Sequence, residues 1–310
     1  MDKTYSVSIE FSPAYELVTS FYTYIYHSNL KNIQLGTDWY HETKQSLPQS
    51  FAEELADERW EVLHRVVLLI SQCPQKTTAE QFLDWFEKLP AGELYERLAP
   101  WVSSIPLNLG ELRDRSTYLL TKWNEHYFRR LEPSILTYLS DQANHLTALS
   151  TKLQPIELID QATNGIRIEP TEQLEEVILV PQYHCAPSTI LDFFRKKATC
   201  LYGAWPMKLT EETATEEFLQ LAQALADEKR LRILLYLSKQ ACTLTEIQQH
   251  VKLAKSTVHH HMTTLRRAGM VRIHFLDHTT PSYYSLREPF IDGFHQKLKE
   301  LLLHKEAEHE

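Results

Sequence analysis

Apolar and polar positions repeat with two different periods along this chain, and the change of period is sharpest near its C-terminus. Within Lys255–Met270, Val258, Met262 and Leu265 recur at i, i+4 and i+7, the stripe of one helix face. Ser256, Thr257, His259, His260 and Thr263 fall on the other faces. Gly269 follows the last periodic residue, where a left-handed cap ends a helix. The period then drops to two: Val271, Ile273 and Phe275 alternate with Arg272 and His274, as in a half-buried strand. Asp277 to Ser282 is a turn cluster, and Tyr283 to Leu286 can return as a second strand. Upstream, Asp227 suits the N-cap of one short helix, and Thr243 or Thr245 that of another running to about Val251. Helix, tight turn, helix and hairpin is the order of a winged helix-turn-helix.

The first two-thirds reads as mostly helical. Val7 and Ile9 alternate with polar neighbours and predict a short strand. Ser12-Pro13 then opens a helix, with serine as N-cap and proline at N1, that runs to about Leu30. Pro48–Gln72 predicts one long amphipathic helix, followed by Thr78–Leu89 and Glu93–Val102. Glu111–Leu131 and Ser134–Leu153 read as two helices bent at Pro133. Pro155–Thr163 reads as another, ending at Asn164-Gly165, a pair that equally suits a hairpin turn. Val177–Val180 and Ala198–Tyr202 predict strands of a small sheet, and Trp205–Thr215 a linker. The fold class is therefore mainly α (α+β). A large helical domain with a small β-sheet spans 1–205, a linker spans 206–215, and a winged helix spans 216–310.

Charge divides the chain the same way. Its 310 residues suit two domains, and 43% apolar residues can fill two cores. The net charge of −9 argues against an indiscriminate nucleic-acid binder. Yet between Lys229 and Arg287 ten Lys or Arg are opposed only by Glu246 and Asp277. A basic module in an acidic chain is a local footprint for phosphates. The longest apolar run, Val66–Ile70, is too short to cross a membrane, and the N-terminus has no apolar signal region. Cys73, Cys185, Cys200 and Cys242 lack a disulfide-scaffold pattern. A cytoplasmic protein with no membrane partner is expected.

The order ALADEKRLRIL, TLTEI, KSTVHHHMTTLRRAGMV and YYSL resembles the ArsR family of bacterial winged-helix regulators. The likeness covers roughly residues 217–300, under a third of the chain. It implies a homodimer that binds operator DNA and usually represses, with 255–268 as the recognition helix. The family's serine-threonine pair matches Ser256 and Thr257, and its paired histidines match His260 and His261. Two departures stand out. The wing tip reads LDHTTPS where the family is often arginine-rich. The positions of the cysteine ligands of thiol-based metal sensors are Thr243 and Thr245, with Cys242 out of register. Asp292, His295, His304 and His309 do not follow the spacing of the subgroup with ligands on the last helix. No metal and no cofactor is expected.

From these readings, Lys255, Ser256, Thr257, His259, His260 and Thr263 touch bases or flanking phosphates, while Arg266, Arg267 and Arg272 hold the backbone. An inverted-repeat operator of double-stranded DNA follows from a two-fold dimer. Dimerisation uses Phe218, Leu221 and Leu225 with Phe290, Phe294, Leu298 and Leu301 of the last helix. Tyr22, Tyr26, Trp39, Trp85, Trp123 and Tyr127 are the residues that can line a small-molecule effector pocket, although aromatics also dominate helical cores. His184-Cys185 resembles a nucleophile and its base, but adjacent strand residues point to opposite faces, and no third group orients them. Three successive helical histidines diverge by about 100° each and cannot share one ion. Asp38, His41 and Glu42 could gather as carboxylate and imidazole in a metal or acid–base site, yet a polar loop between helices explains them more simply, and seven scattered glycines leave no phosphate-binding loop. No enzyme is expected. The alternative to operator binding is a winged helix that docks a protein or RNA partner.

Overall fold

In the computed structural model, residues 4–26, 30, 33–56, 58, 63–206 and 211–303 are described. In chain order the elements are β1 (Ser6–Ile9), α1 (Pro13–Ile25), α2 (Gly36–Ser46), α3 (Gln49–Ala56), α4 (Leu63–Ser71), α5 (Ala79–Lys88), α6 (Ala91–Leu98), α7 (Leu109–His126) and α8 (Pro133–Ser150). There follow α9 (Pro155–Thr163), β2 (Ile166–Ile168), β3 (Glu176–Gln182), β4 (Thr189–Phe193), β5 (Lys197–Gly203), α10 (Glu211–Leu225), α11 (Glu228–Leu237), α12 (Leu244–Val251), α13 (Lys255–Arg267), β6 (Val271–Phe275), β7 (Tyr283–Leu286) and α14 (Pro289–Leu303). The expected mainly helical α+β class is the observed one. Two compact units are formed, Met1–Pro155 with Thr171–Pro206, and Ile156–Pro170 with Met207–Glu310. The sequence reading ran the first domain unbroken to 205, whereas here the chain leaves the first unit at 156 and returns at 171.

The first unit is built around α1. Ser12 caps it by accepting from the Ala14 amide, and Pro13 fills N1 where no donor is needed. Every residue from Ala14 to Phe21 is buried, so α1 is a central rod rather than an amphipathic cover. Leu17, Val18 and Phe21 join Val66–Ile70 of α4, Phe82 of α5, and Leu119 and Trp123 of α7 in one core. Thr78 and Gln81 close a capping box at the start of α5. The sheet order is β1-β3-β5-β4, with β1, β3 and β5 parallel and β4 antiparallel at the far edge. Six of the seven residues of β3 are buried, as a central parallel strand requires. Ile178, Val180 and Leu201 carry the sheet into the α1 core.

Several boundaries differ from the sequence reading. The expected long helix over Pro48–Gln72 is described as α3 and α4, with residues 57 and 59–62 between them outside the described set. α7 gives way to a 3-10 turn at Phe128–Arg130, and Pro133 is the first residue of α8 rather than a bend. α10 starts at Glu211, inside the expected linker. β4 and β2 were not expected at all.

The second unit holds the expected winged helix. Asp227 caps α11 by accepting from the Arg230 amide. Thr243 caps α12 in a capping box with Glu246. Lys252, left-handed at φ 55°, ends α12, and only two residues separate it from the start of α13. Ile233, Leu237, Ile247, Val258, Met262, Leu265, Met270 and Val271 form the core. β6 and β7 are the antiparallel hairpin, in register Ile273↔Tyr284. β2 adds itself in parallel to the other side of β6, with Ile166↔Ile273 and Ile168↔Phe275, giving a sheet of order β2-β6-β7.

Candidate nucleic-acid interface

α13 buries Val258, His261, Met262 and Leu265, which recur at i, i+3, i+4 and i+7 as one face demands. The opposite face presents Lys255, Ser256, Thr257, His259 and His260, all exposed, and Thr263, half-exposed. Thr263 and Thr264 donate their hydroxyls back to the carbonyls of His259 and His260, at 2.9 and 3.1 Å. No acidic residue lies in the helix, and its last turn carries Arg266 and Arg267. Gly269 ends it at φ +66°, the conformation expected of a left-handed cap. His261 lies against the core. Burial lowers its pKa, opposed by Asp227 and reinforced by Arg230 and His260.

Two of the arginines expected to hold DNA backbone have internal partners. Arg266 donates to the carbonyls of Thr163 and Asn164, at 2.6 and 2.8 Å, the open end of α9. Arg272 donates from Nε to Asp160 at 2.5 Å and from a terminal nitrogen to the Leu286 carbonyl at 3.3 Å. Arg287 joins them, donating to Asp160 at 2.8 Å and to the Asn164 side chain at 2.8 Å. Arg266 and Arg272 are therefore supports in this structure, not groups presented on the open face. No signal in the sequence marked Asp160, Thr163 and Asn164 as partners of these arginines, because they lie more than 100 residues earlier. Arg267 remains exposed.

Phe218 of α10 and Phe294 of α14 pack with ring centroids 5.0 Å apart. Leu221, Leu225 and Phe290 are half-buried against the winged-helix core. Leu298 and Leu301 are half-exposed, and α14 has no fully buried residue among those described. Leu219, Ile291, Leu302 and Leu303 are each more than half exposed. His304 and His309 lie outside the described residues.

Of the six aromatics, Trp39, Trp123 and Tyr127 converge, with Trp39 and Tyr127 centroids 6.0 Å apart and Trp123 and Tyr127 4.6 Å. Tyr22 and Tyr26 pair with each other at 4.5 Å, and Trp85 sits beside Phe82 under Arg97. A surface recess of about 490 Å³ is lined by Gln72, Glu93, Glu96, Arg97, Pro100 and Trp101, and by none of the six. The convergence is instead a packed polar chain that sequence reasoning missed. Trp39 donates to the Tyr127 hydroxyl at 2.7 Å, which meets His184 Nε2 at 2.7 Å. His184 Nδ1 meets Glu16, which also accepts the backbone amides of Tyr183 and His184. One proton on the imidazole satisfies every link, so a fully buried carboxylate and imidazole are tolerated. Burial raises the pKa of Tyr127, opposed by the bond from Trp39.

His184 and Cys185 occupy a turn after β3, not the strand on which they were expected. Burial pushes the Cys185 thiol up, the wrong direction for a nucleophile. Asp38, His41 and Glu42 are exposed on α2 rather than in a loop. Among the described residues no group of three His, Cys, Asp or Glu can hold a metal ion, and no helix is long and apolar enough to cross a membrane.

A capped helix-turn-helix with an acid-free open face and a following hairpin defines a winged helix-turn-helix domain. Residues 227–272 match the family of bacterial regulatory proteins called arsR. This segment of the chain is thus an ArsR-like winged helix-turn-helix. Among solved structures, reduced HlyU from Vibrio cholerae N16961 is 24% identical over 30% of this chain and 96% of its own, with a TM-score of 0.23. NolR from Sinorhizobium fredii is 23% identical over 32% and 97%, with a TM-score of 0.25. The homodimeric winged helix-turn-helix DNA-binding domain Mb0332 from Mycobacterium bovis is 20% identical over 34% and 98%, with a TM-score of 0.25. No curated protein matches the sequence.

Proposed function

We propose that the chain is a sequence-specific regulator of transcription. Its second unit reads double-stranded DNA by laying the open face of α13 in a major groove. One observation carries this reading: an arsR-family segment buries one side of α13 and leaves Lys255, Ser256, Thr257, His259 and His260 facing solvent, with no acid among them. Hydroxyl and imidazole groups match the mixed donor and acceptor edges of base pairs there, and Lys255 suits a flanking phosphate. Thr263 and Arg267 extend the contact along the helix, while Arg266 and Arg272 support it from behind.

The partner is DNA bound by two copies of the chain. The half-open apolar side of α14, with α10 beside it, is the surface for the second copy. A two-fold pair sets two α13 helices about one turn of DNA apart and calls for an inverted-repeat operator. Repression by occupancy is the simplest output. An acid-free reading face suits a polyanion better than a protein partner, and RNA is separated from DNA by whether a B-form duplex is selected.

Duplexes recovered from random sequence by the purified chain, followed by fluorescence anisotropy across a salt series, test the reading. Lys255→Ala should flatten the log K against log salt slope by about 0.9, one phosphate contact. His260→Ala should change which base is preferred at one position while leaving that slope alone. A chain that selects no duplex even at low salt sinks the proposal.

A further inference from the structure

Fifteen residues of the second unit come from far upstream, and they touch the recognition helix, the wing and the approach to α14. The chain enters at Ile156, forms α9 and β2, and leaves at Pro170. The end of α13 is tied to it through Arg266, which donates to the carbonyls of Thr163 and Asn164. The wing is tied through backbone and side chain. β2 pairs with β6, the Ile273 amide donates to the Gly165 carbonyl at 2.8 Å, and Arg272 reaches Asp160. His274 of β6 meets Glu169 at 2.6 Å through Nδ1 and Ser285 of β7 at 2.7 Å through Nε2. The approach to α14 is tied through Arg287, which reaches both Asp160 and Asn164.

The seam is close enough to demand special residues on both sides. Gly269, which ends the recognition helix, would place a Cβ 2.5 Å from the Asn164 side-chain oxygen. Gly165, at φ +120°, would place one 2.8 Å from the Val271 carbonyl. Asn164 itself is left-handed at φ 56°, closing α9 so that its last carbonyls face Arg266. Gly165 has no room for a side chain without backbone displacement, and Gly269 has none unless the Asn164 side chain gives up its place, so the contact is specified rather than incidental.

We propose that 156–170 is a working part of the DNA-reading head, and that Asp160 and Asn164 are positioning residues which fix α13 against the wing. This rests on the DNA-reading function proposed above. Base-edge contacts tolerate only about 0.5 Å or 10–20° of misplacement. Three elements anchored to one short segment have their mutual pose set by it. Phosphate attraction is far less exacting, so positioning governs discrimination more than general affinity.

The full chain carrying Asn164→Gly keeps the left-handed backbone and deletes the side chain that Arg287 and Gly269 meet. Binding is measured to the duplex selected by the wild type and to a scrambled duplex of equal length, each across salt. Affinity for the selected duplex should fall about tenfold, the loss of one good base contact at about 1.4 kcal/mol. Affinity for the scrambled duplex and both salt slopes should stay unchanged. Without DNA, amide hydrogen exchange at Arg266–Val271 should quicken in the variant. Asp160→Glu, which retains the charge, should recover more selected-duplex binding than Asp160→Asn. An equal fall on both duplexes would mark the segment as structural only and overturn the proposal, as would unchanged discrimination and exchange. A wild-type chain that binds no duplex overturns the DNA-reading function itself and is distinguished from both by that control.

Discussion

Asp160 shows how one side chain can decide the behaviour of a domain. Its side chain is 7% exposed and accepts Arg272 and Arg287 directly, with Arg167 at 3.5 Å. Burial raises its pKa, but hydrogen bonds from Arg287 and Arg272 outweigh burial and hold it below the ordinary 3.8. A carboxyl that titrates lower in the folded chain binds protons less readily there than when unfolded. Its stabilisation is therefore complete above pH 3.8 and drains away as pH falls through the lower folded value. Thermal melts of the second unit between pH 6 and pH 2 should show that acid loss. Asp160→Asn should melt earlier at pH 6, by about 3–5 kcal/mol for a buried charge cluster stripped of its anion, with a flatter acid limb. A variant as stable as the parent at pH 6 would mean that the arginines find other partners.

At the scale of elements, what was legible followed from local spacing. α13 and β6 were visible because their periods of 3.6 and 2 are written in adjacent residues. α11 and α12 were visible because Asp227 and Thr243 cap them through bonds three residues long. The second of these can be tested alone. Thr243→Ala removes the hydroxyl that accepts from the Glu246 amide and donates to the Glu246 carboxylate, leaving only the bond from the Thr243 backbone amide, and should cost about 1 kcal/mol in denaturant melts, with DNA contacts untouched. β2 was invisible because three residues hold no period, and its partner Ile273 lies more than 100 positions away. The same distance hid the true partners of Arg266 and Arg272. From sequence they were cations near a reading helix, and only the fold shows carbonyls and a carboxylate already facing them. Trp39, Trp123 and Tyr127 stood out in the sequence only as aromatics. Their link to Glu16 through His184 was beyond reach, since it joins α1, α2, α7 and the turn after β3.

At the scale of the molecule, the proposed pairing of two copies follows from what α14 leaves open. Ile291, Leu298 and Leu302 recur at i, i+7 and i+11, and Ile291 and Leu302 are 54% and 64% exposed. Ile291→Glu should shift the sedimentation coefficient from a dimer to a monomer and weaken binding to the inverted repeat while sparing a single half-site; an unchanged coefficient places the pairing surface elsewhere. The excursion of 156–170 bears on biosynthesis too. Growing at about 5–20 residues per second, a nascent chain exposes Ile168 roughly 5–20 s before Phe275, its strand neighbour, is made. Throughout that interval Leu158, Ile159, Ile166 and Ile168, all buried in the finished protein, lack the sequence that completes their unit. A polypeptide interrupted on the ribosome before Val271 carries a ready-made mark of incompleteness for chaperones and proteases to read.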